Sequence, residues 1–172
     1  HVHETSGLIL IHYSESGAAP TWFMPDLPEW GQPGWLGYES TGWRIRMHVQ
    51  ELAENVPDMA HFATVHGVQG TPMAEVSVDG HIYRQRSLVK ETGYEFTRQA
   101  AYGMGLIWLH SMQDKIVFLT ATTPVDDEYC DPLELRADSA LGVPGLLQAL
   151  RAGEVVVANV PGAGVLESPG LA

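Results

Sequence analysis

The most regular feature of the sequence is a run of short strand-like segments in its middle, separated by two- or three-residue turns. The segments lie at 74–78, 81–91, 94–102, 106–112 and 116–123. Two of the turns contain Asp79-Gly80 and Thr92-Gly93, and a dipeptide such as Asp-Gly favours a tight hairpin. Strands joined in order by short turns pair antiparallel. The pattern therefore predicts a five-stranded antiparallel meander.

The residues before the meander follow a less regular pattern. An apolar run at 7–13 and an alternation of apolar and polar residues at 42–50 each predict a strand. The stretch 17–37 contains four prolines, a density that neither a helix nor a central strand tolerates. We therefore predict a long connector there. Three tryptophans are predicted to anchor it by packing: Trp22, Trp30 and Trp35.

A change from strand-like to helical spacing follows at residue 55. Asn55 is a favourable N-cap, Pro57 is tolerated in a first turn, and Asp58 suits the positive end of the helix dipole. Phe62 continues an apolar stripe at helical spacing, and Gly67 is a suitable C-terminal stop. The pattern predicts one short helix that starts at Asn55.

The C-terminal segment, 131–172, is rich in Gly and Pro and has weak periodicity. The exception is a short helix predicted at 145–151. We predict that the rest of this segment is a loosely organised, disordered tail that is not assigned to a domain.

Composition limits the range of functions. The formal net charge is −12, from 9 basic and 21 acidic residues, which argues against nucleic acid as a partner because phosphate contacts require clustered Lys and Arg. The single Cys130 cannot form an internal disulfide or hold an iron–sulfur cluster or a structural zinc ion by itself. A reducing cytoplasm is the expected location. The chain begins with His1 rather than Met, which predicts that further sequence precedes it.

The residues with the clearest chemical potential are Asp58, His61 and His66. Asp58 and His61 are three positions apart and share one face of a helix. His61 and His66 are five positions apart, about 140° out of phase on an ideal helix. The helix must therefore deform or end between them if both are to bind one ion. Two imidazoles and a more distant carboxylate would form the facial triad of non-heme iron oxygenases, which leaves positions open for oxygen.

Residues 54–67 resemble the ferrous-iron motif of Rieske non-heme iron oxygenase catalytic subunits, most closely the branch of 3-ketosteroid 9α-hydroxylases and cholesterol 7-desaturases. The matching residues are Glu54, Asn55, Asp58, His61, His66 and Gly67. The resemblance extends over roughly 2–129. It implies that His61 and His66 bind mononuclear Fe(II). It also implies that Asp58 is the electron-transfer bridge to a neighbouring subunit, with local support from Glu54 and Asn55.

The same resemblance implies the fold and the reaction. The fold would be α+β, a curved antiparallel sheet around a helix in the helix-grip (START-like) arrangement. The domains would be 1–30, the closing strand of a Rieske domain with its connector, and 31–130, a partial iron-binding catalytic domain. The reaction would use O2 to hydroxylate or desaturate a small apolar substrate such as a steroid or sterol. Electrons would come from a reductase or ferredoxin, and the assembly would be a homotrimer.

Two features of the family pattern are missing. The cluster motifs Cys-x-His and Cys-x-x-His are absent, so this chain is not expected to bind the [2Fe–2S] cluster of an intact family member. The family's third iron ligand is an aspartate well beyond the strands. None of the aspartates from residue 114 onward has a matching context: Asp114, Asp126, Asp127, Asp131 and Asp138. The resemblance therefore implies a fragment that is inactive alone.

Three alternatives compete with this hypothesis. His61 and His66 could be ordinary histidines, one at a helix end and one buried. The chain could be a non-catalytic helix-grip module that binds lipid and has a degenerate metal site. It could also be a zinc-dependent hydrolase, which requires a third ligand nearby and a general base. His48, His81 and His110 lie in strand-like segments and are not predicted to be ligands.

Overall fold

The computed structural model describes residues 1–139. Within that range the chain forms nine strands and two short helices. They are β1 (Val2–Thr5), β2 (Leu8–Ile11), β3 (Glu39–Gly42), α1 (Val49–Glu54), α2 (Ala60–Thr64), β4 (Pro72–Asp79), β5 (Ile82–Val89), β6 (Glu95–Tyr102), β7 (Leu106–Ser111), β8 (Ile116–Pro124) and β9 (Cys130–Asp138). Neither helix in this range is long and apolar enough to cross a membrane.

Seven of the strands form one antiparallel sheet in the order β3-β9-β8-β7-β6-β5-β4. The predicted five-strand meander, β4 to β8, is confirmed. Its turns use Gly80 and Gly93 at φ of 58° and 68°, a left-handed conformation that glycine adopts without steric cost. The fold is thus mostly antiparallel sheet with few helices.

One face of the sheet packs against the N-terminal part of the chain, and we call it the connector face. Strands β1 and β2 form a separate hairpin. The connector after it supplies Met24 and Leu27 to the core of this face, and Leu8 and Leu10 of the hairpin pack against that core. The sheet contributes alternate residues of its central strands to the same core, among them Trp108, Val117 and Leu119. Residues at alternate positions of a strand lie on the same side of the sheet, so these three side chains share this face.

The opposite face packs against the two helices, and we call it the helix face. Val56, which follows α1, packs with Ala101 and Ile107. Phe62 of α2 packs with Val89 and Phe96. The helix face also buries polar side chains of β5 and β6: Gln85, Ser87, Thr97 and Gln99.

The predicted irregular connector at 17–37 is confirmed, because no strand or helix of residues 1–139 falls within it. Trp35 packs on the core of the connector face. Trp30 stacks on Tyr38 with 5.0 Å between ring centroids, and Trp22 stacks on His81 at 4.5 Å. The predicted division of the chain at residue 30 stays a prediction, although the connector packs intimately on the sheet.

The strand predicted at 42–50 is wrong. Gly42 is the last residue of β3, beyond it only Ile45 makes a β-bridge, with Cys130, and helix α1 begins at Val49 instead. The side chain of His48 caps this helix, because its Nδ1 accepts a hydrogen bond from the backbone N–H of Gln50 (3.2 Å). A histidine cap is not among the usual sequence signals for a helix start. The alternation of apolar and polar residues at 42–50 therefore favoured a strand over a helix.

The predicted helix start at Asn55 is also wrong. Asn55 is the C-cap of α1, and the second helix begins only at Ala60. Pro57 explains the interruption, since the residue before a proline is forced out of the helical region. Asp58 still acts at the start of α2, because its Oδ1 accepts the backbone N–H of Ala60 (2.9 Å).

The predicted irregular tail is corrected for its first residues. Cys130–Asp138 form β9, which pairs with β8 over its whole length and with β3 on its other side. Pro132 lies near the start of this strand, where its missing N–H is tolerated. Its carbonyl accepts the N–H of Trp43 (3.1 Å). The helix predicted at 145–151 lies outside the described residues.

Candidate metal centre

The two histidines of the motif lie in contact at the end of α2. The helix ends at Thr64 with Val65 as its C-cap, and Gly67 then reverses the chain at φ of 66°. The ring centroids of His61 and His66 are 5.2 Å apart, with the rings edge to face at 68°. The expectation that the helix ends between the two is therefore confirmed, and this ending brings together side chains that a continuous helix would separate.

Phe62 fixes the position of this pair. Its ring is buried and packs edge to face on Phe96 at 5.0 Å. The same ring stacks on His61 at 4.3 Å and contacts His66 at 5.6 Å. One aromatic side chain inserted into the core thus supports both imidazoles.

Asp58 lies beside His61 on its N-terminal side. Its Oδ2 is 3.4 Å from Nδ1 of His61, but the contact lacks hydrogen-bond geometry and this buried Nδ1 has no hydrogen-bond partner. Metal-binding histidines usually direct one ring N–H to a carboxylate, so that the other ring nitrogen keeps its lone pair for the metal. A small rotation of Asp58 would complete that arrangement and leave Nε2 of His61 free to bind.

The surroundings of His66 favour its neutral form. Packing of the ring against its neighbours removes solvent and lowers its pKa, and the nearby His61 lowers this pKa further, while Asp114 raises it. His66 is an exposed residue, so this desolvation is partial. A metal ligand must be a neutral imidazole, and the lowered pKa therefore favours the form that binds metal.

The two residues predicted to support the motif lie further away. Glu54 is exposed at the end of α1, where its carboxylate accepts a hydrogen bond from Gln50 Nε2 (2.7 Å). Asn55 is exposed as the C-cap of the same helix. Within residues 1–139 both therefore act on α1 rather than on the histidines.

The donor set fits two of the three protein ligands of an iron site with two histidines and one carboxylate. Across residues 1–139, no group of three or more His, Cys, Asp or Glu side chains is arranged to hold a metal ion. Most aspartates that follow the pair already have partners. Asp114 accepts from Ser111, Asp131 from Arg44 and Asp138 from Arg136. Asp126 accepts from the backbone N–H groups of Glu128 and Tyr129.

Sequence reasoning missed the buried polar residues beneath the centre. Gln85 and Gln99 form a cross-strand pair, and Gln99 Nε2 donates to the backbone oxygen of Val56 (2.8 Å). Polar residues at alternate strand positions usually indicate a solvent-exposed face, whereas these two are among the most buried side chains. Their burial depends on helices far away in sequence, so no local signal could reveal it.

A second buried polar group lies on the connector face. The carboxylate of Glu29 accepts from Trp108 Nε1 (3.3 Å) and lies 3.4 Å from Nδ1 of His110. His110 also contacts the edge of Trp35. This group attaches the connector to β7.

Two family models match the sequence. The model described as the 3-ketosteroid 9alpha-hydroxylase C-terminal domain matches residues 11–133. The model described as circularly permuted ATP-grasp type 2 matches residues 107–172, so the two overlap between 107 and 133. The second match includes the C-terminal segment, 131–172, which lies beyond the resemblance to Rieske oxygenases.

Solved structures of Rieske oxygenases share the fold. NdmA of Pseudomonas putida CBB5 superposes with a TM-score of 0.62 at 15% identity, over 97% of this chain and 55% of that chain. NdmB of the same organism gives 0.61 at 14% identity, over 90% and 48%. The quaternary ammonium Rieske monooxygenase CntA gives 0.62 at 11% identity, over 91% and 46%. The chain thus spans about half the length of these structures.

Curated relatives match only short segments. An uncharacterized protein of Mycobacterium tuberculosis, Rv2567, is 46% identical over 67 residues, which are 39% of this chain and 8% of that protein. Another, sll0335 of Synechocystis, is 51% identical over 43 residues, or 25% and 9%. The chain therefore spans less than a tenth of their length. The first family model, in contrast, matches more than half of the chain, and the chain belongs to the family of 3-ketosteroid 9alpha-hydroxylase C-terminal domains, a Rieske oxygenase-related domain.

Proposed function

We propose that this chain is the part of an oxygenase catalytic domain in which His61 and His66 hold a mononuclear ferrous ion. The observation that carries the proposal is the contact between the two imidazoles, 5.2 Å apart, at a helix end supported by a buried phenylalanine. The alternative of two ordinary histidines does not account for this contact or for the unpartnered ring nitrogen of His61.

Each of these residues would have a definite role. Nε2 of His61 would bind the ion, because Asp58 faces the other ring nitrogen. His66 would bind as a neutral imidazole. The bound ferrous ion, held by few protein ligands, would supply open positions at which oxygen is activated. The third ligand, a carboxylate, would come from outside residues 1–139.

We propose a second role for Asp58, as the bridge through which electrons arrive from a Rieske [2Fe–2S] cluster on a neighbouring subunit of a trimer. Its side chain is 49% exposed, so a partner subunit can reach it. A ferredoxin or reductase would reduce that cluster. Glu54 and Asn55 would keep α1 and the start of this segment in place.

The substrate we propose is small and apolar, such as a steroid or sterol, hydroxylated or desaturated on the helix face of the sheet. The description of the matching family model supports this class. The architecture would be the helix-grip arrangement, with the sheet curved around a helix. The fold alone does not select the substrate, since CntA is named as a quaternary ammonium monooxygenase.

The match of residues 107–172 to the circularly permuted ATP-grasp model favours a second candidate, ATP-dependent chemistry by the C-terminal segment. The described part of that match is not a separate domain. It contains β7, β8 and β9, which belong to the same sheet as β4 to β6, and β7 pairs with β6. Calorimetric titration with Mg-ATP tests this candidate. Binding that survives His61→Ala and His66→Ala would assign a separate function to the C-terminal segment.

The proposed function is tested by anaerobic titration with Fe(II), followed by nitric oxide and electron paramagnetic resonance. We expect a high-spin iron–nitrosyl signal near one per chain. His61→Ala and His66→Ala should abolish it, whereas the exposed His12→Ala should retain it. Absence of the signal from the folded wild-type chain would contradict the proposal and leave the lipid-binding module. Tight zinc binding without an iron signal would favour the hydrolase.

A further inference from the structure

Two glutamine side chains are buried directly beneath the segment that carries the metal ligands. Gln85 on β5 and Gln99 on β6 are 1% and 2% exposed and lie opposite each other in the register of the two strands. A buried amide without hydrogen bonds costs free energy. The hydrogen-bond partners of these two buried amides therefore indicate their structural role.

Gln99 binds the backbone where the two helices are interrupted. Its Nε2 donates to the oxygen of Val56 in a buried hydrogen bond of 2.8 Å between residues 43 positions apart. In a continuous helix that oxygen would accept the N–H of Ala60. Here the N–H of Ala60 donates to Asp58 instead, and Gln99 provides the donor that the helix interruption makes necessary.

Gln85 contacts the same segment three residues further on. Its Oε1 accepts a hydrogen bond from the hydroxyl of Tyr83. Its Nε2 donates to Ser87 Oγ (3.0 Å) and lies 3.9 Å from the sulfur of Met59, the residue that precedes α2. The partners on the sheet fix the orientation of this amide, so that it forms a rigid support under the start of the helix.

We propose that Gln99, with Gln85 beside it, is a positioning residue for the metal centre. It fixes the backbone at Val56, which stands two residues before Asp58 and five before His61. Release of that backbone would let α2 tilt on the sheet and separate His61 from Asp58 and His66. This inference rests on the proposed function, and it adds residues of the sheet that contact neither the metal nor its ligands.

The test compares Gln99→Met and Gln99→Glu with Leu119→Ala in the full 172-residue chain. Methionine keeps the length of the side chain and loses the donor. Glutamate keeps the shape and places a second oxygen against the oxygen of Val56. Leu119 lies in the core of the connector face, so that its truncation lowers global stability without contacting the segment.

The first readout needs no metal. Hydrogen exchange is measured at the amide of Val65, which donates to the oxygen of His61 (2.7 Å), relative to the amide of Val117, a fully buried residue of β8. We expect both Gln99 variants to raise this ratio about tenfold or more, which corresponds to a local loss of ~1.4 kcal/mol. Leu119→Ala should not raise the ratio, because it lowers the cost of the global opening through which Val117 exchanges and leaves the local opening at Val65 unchanged.

The second readout is the affinity for Fe(II), measured by competition with a chelator and by the iron–nitrosyl signal. Substitution of residues that hold metal ligands in position typically weakens metal binding about 10- to 100-fold, and we expect a loss of this size in both Gln99 variants and none in Leu119→Ala. Unchanged exchange at Val65, unchanged affinity, or equal changes in Leu119→Ala would overturn the inference. If the wild-type chain binds no iron, the proposed function fails, and the exchange ratio alone decides whether Gln99 positions the segment.

Discussion

The two faces of the seven-stranded sheet are built from the same strands but bury different chemistry. At the centre of the connector face, Val117 and Leu119 are completely enclosed among apolar side chains. On the helix face, the equally enclosed residues include Gln85, Ser87 and Gln99. The enclosed apolar residues of the connector face thus come from β8, and the enclosed polar residues of the helix face come from β5 and β6.

The difference indicates that one face stabilises the fold and that the other holds the segment proposed to bind iron, which contains His61 and His66. Burial of apolar area is the main source of stability, and the connector face provides most of it. The helix face buries less apolar area, because hydrogen-bond donors occupy positions beneath α1 and α2. It also contains Thr97 and Thr122, whose buried hydroxyls have no hydrogen-bond partner.

Truncation in the connector face is expected to have the largest effect on stability. Leu119→Ala removes a side chain that is 2% exposed and should lower the free energy of unfolding by about 2–5 kcal/mol. Leu133→Ala, at a residue 45% exposed, is the control and should change it by less than about 1 kcal/mol. Urea unfolding followed by tryptophan fluorescence measures both. Equal effects would contradict the view that this face forms the core.

The second largest loss of stability is expected from a substitution where the N-terminal hairpin contacts the connector. Gly7 has a φ of 73°, and an added Cβ would lie 2.4 Å from the ring of Trp30. Gly7→Ala should lower the free energy of unfolding by about 1–2 kcal/mol from backbone strain, plus the displacement of Trp30.

Gly31→Ala is the matched control for that substitution. Gly31 has a φ of 67°, and an added Cβ there meets nothing within 4 Å, so this variant measures backbone strain alone. The difference between the two unfolding free energies, measured in urea, isolates the contact with Trp30. A difference near zero would show that the hairpin does not depend on this contact.

A smaller effect of opposite sign is expected on the helix face. Thr97→Val replaces a buried, unpartnered hydroxyl by a methyl group of similar size. It should raise the free energy of unfolding by up to about 1 kcal/mol, because the unsatisfied hydroxyl is removed. Thermal unfolding by calorimetry measures the change. A clear loss of stability would show instead that the hydroxyl has a partner, such as a bound water or ligand.

The smallest effect at neutral pH is expected for Tyr38 of the connector face. Burial, and secondly the carboxylate of Glu29, raise the pKa of its phenol to about 12 from 10.0. A pKa raised in the folded protein gives stability that is fully present below pH 10 and is lost as the pH rises toward 12. Tyr38→Phe should remove this loss of stability at high pH and should change the free energy of unfolding little at pH 7. Urea unfolding at pH 7 and at pH 10–11 tests it, and an unchanged pH dependence in the variant would contradict the assignment.

The sequence predicted those features whose signals are local. Gly80 and Gly93 marked the hairpins of the meander, and the spacing of His61 and His66 required the helix to end between them. Helix α1 was missed because its cap is a histidine, and β9 because Pro132 obscured a strand paired on both sides. The role of Gln99 could not be predicted, since it depends on a contact with Val56, 43 residues away.

We propose that His61 and His66 bind one iron ion together on the helix face of the sheet. X-ray absorption at the iron edge of the anaerobic, Fe(II)-loaded chain tests it most directly, because imidazole ligands produce a characteristic multiple-scattering pattern. We predict about two imidazoles per iron in the wild-type chain and one or none in His66→Ala. Iron bound without imidazoles, or the same spectrum in His66→Ala, would contradict the assignment of this centre.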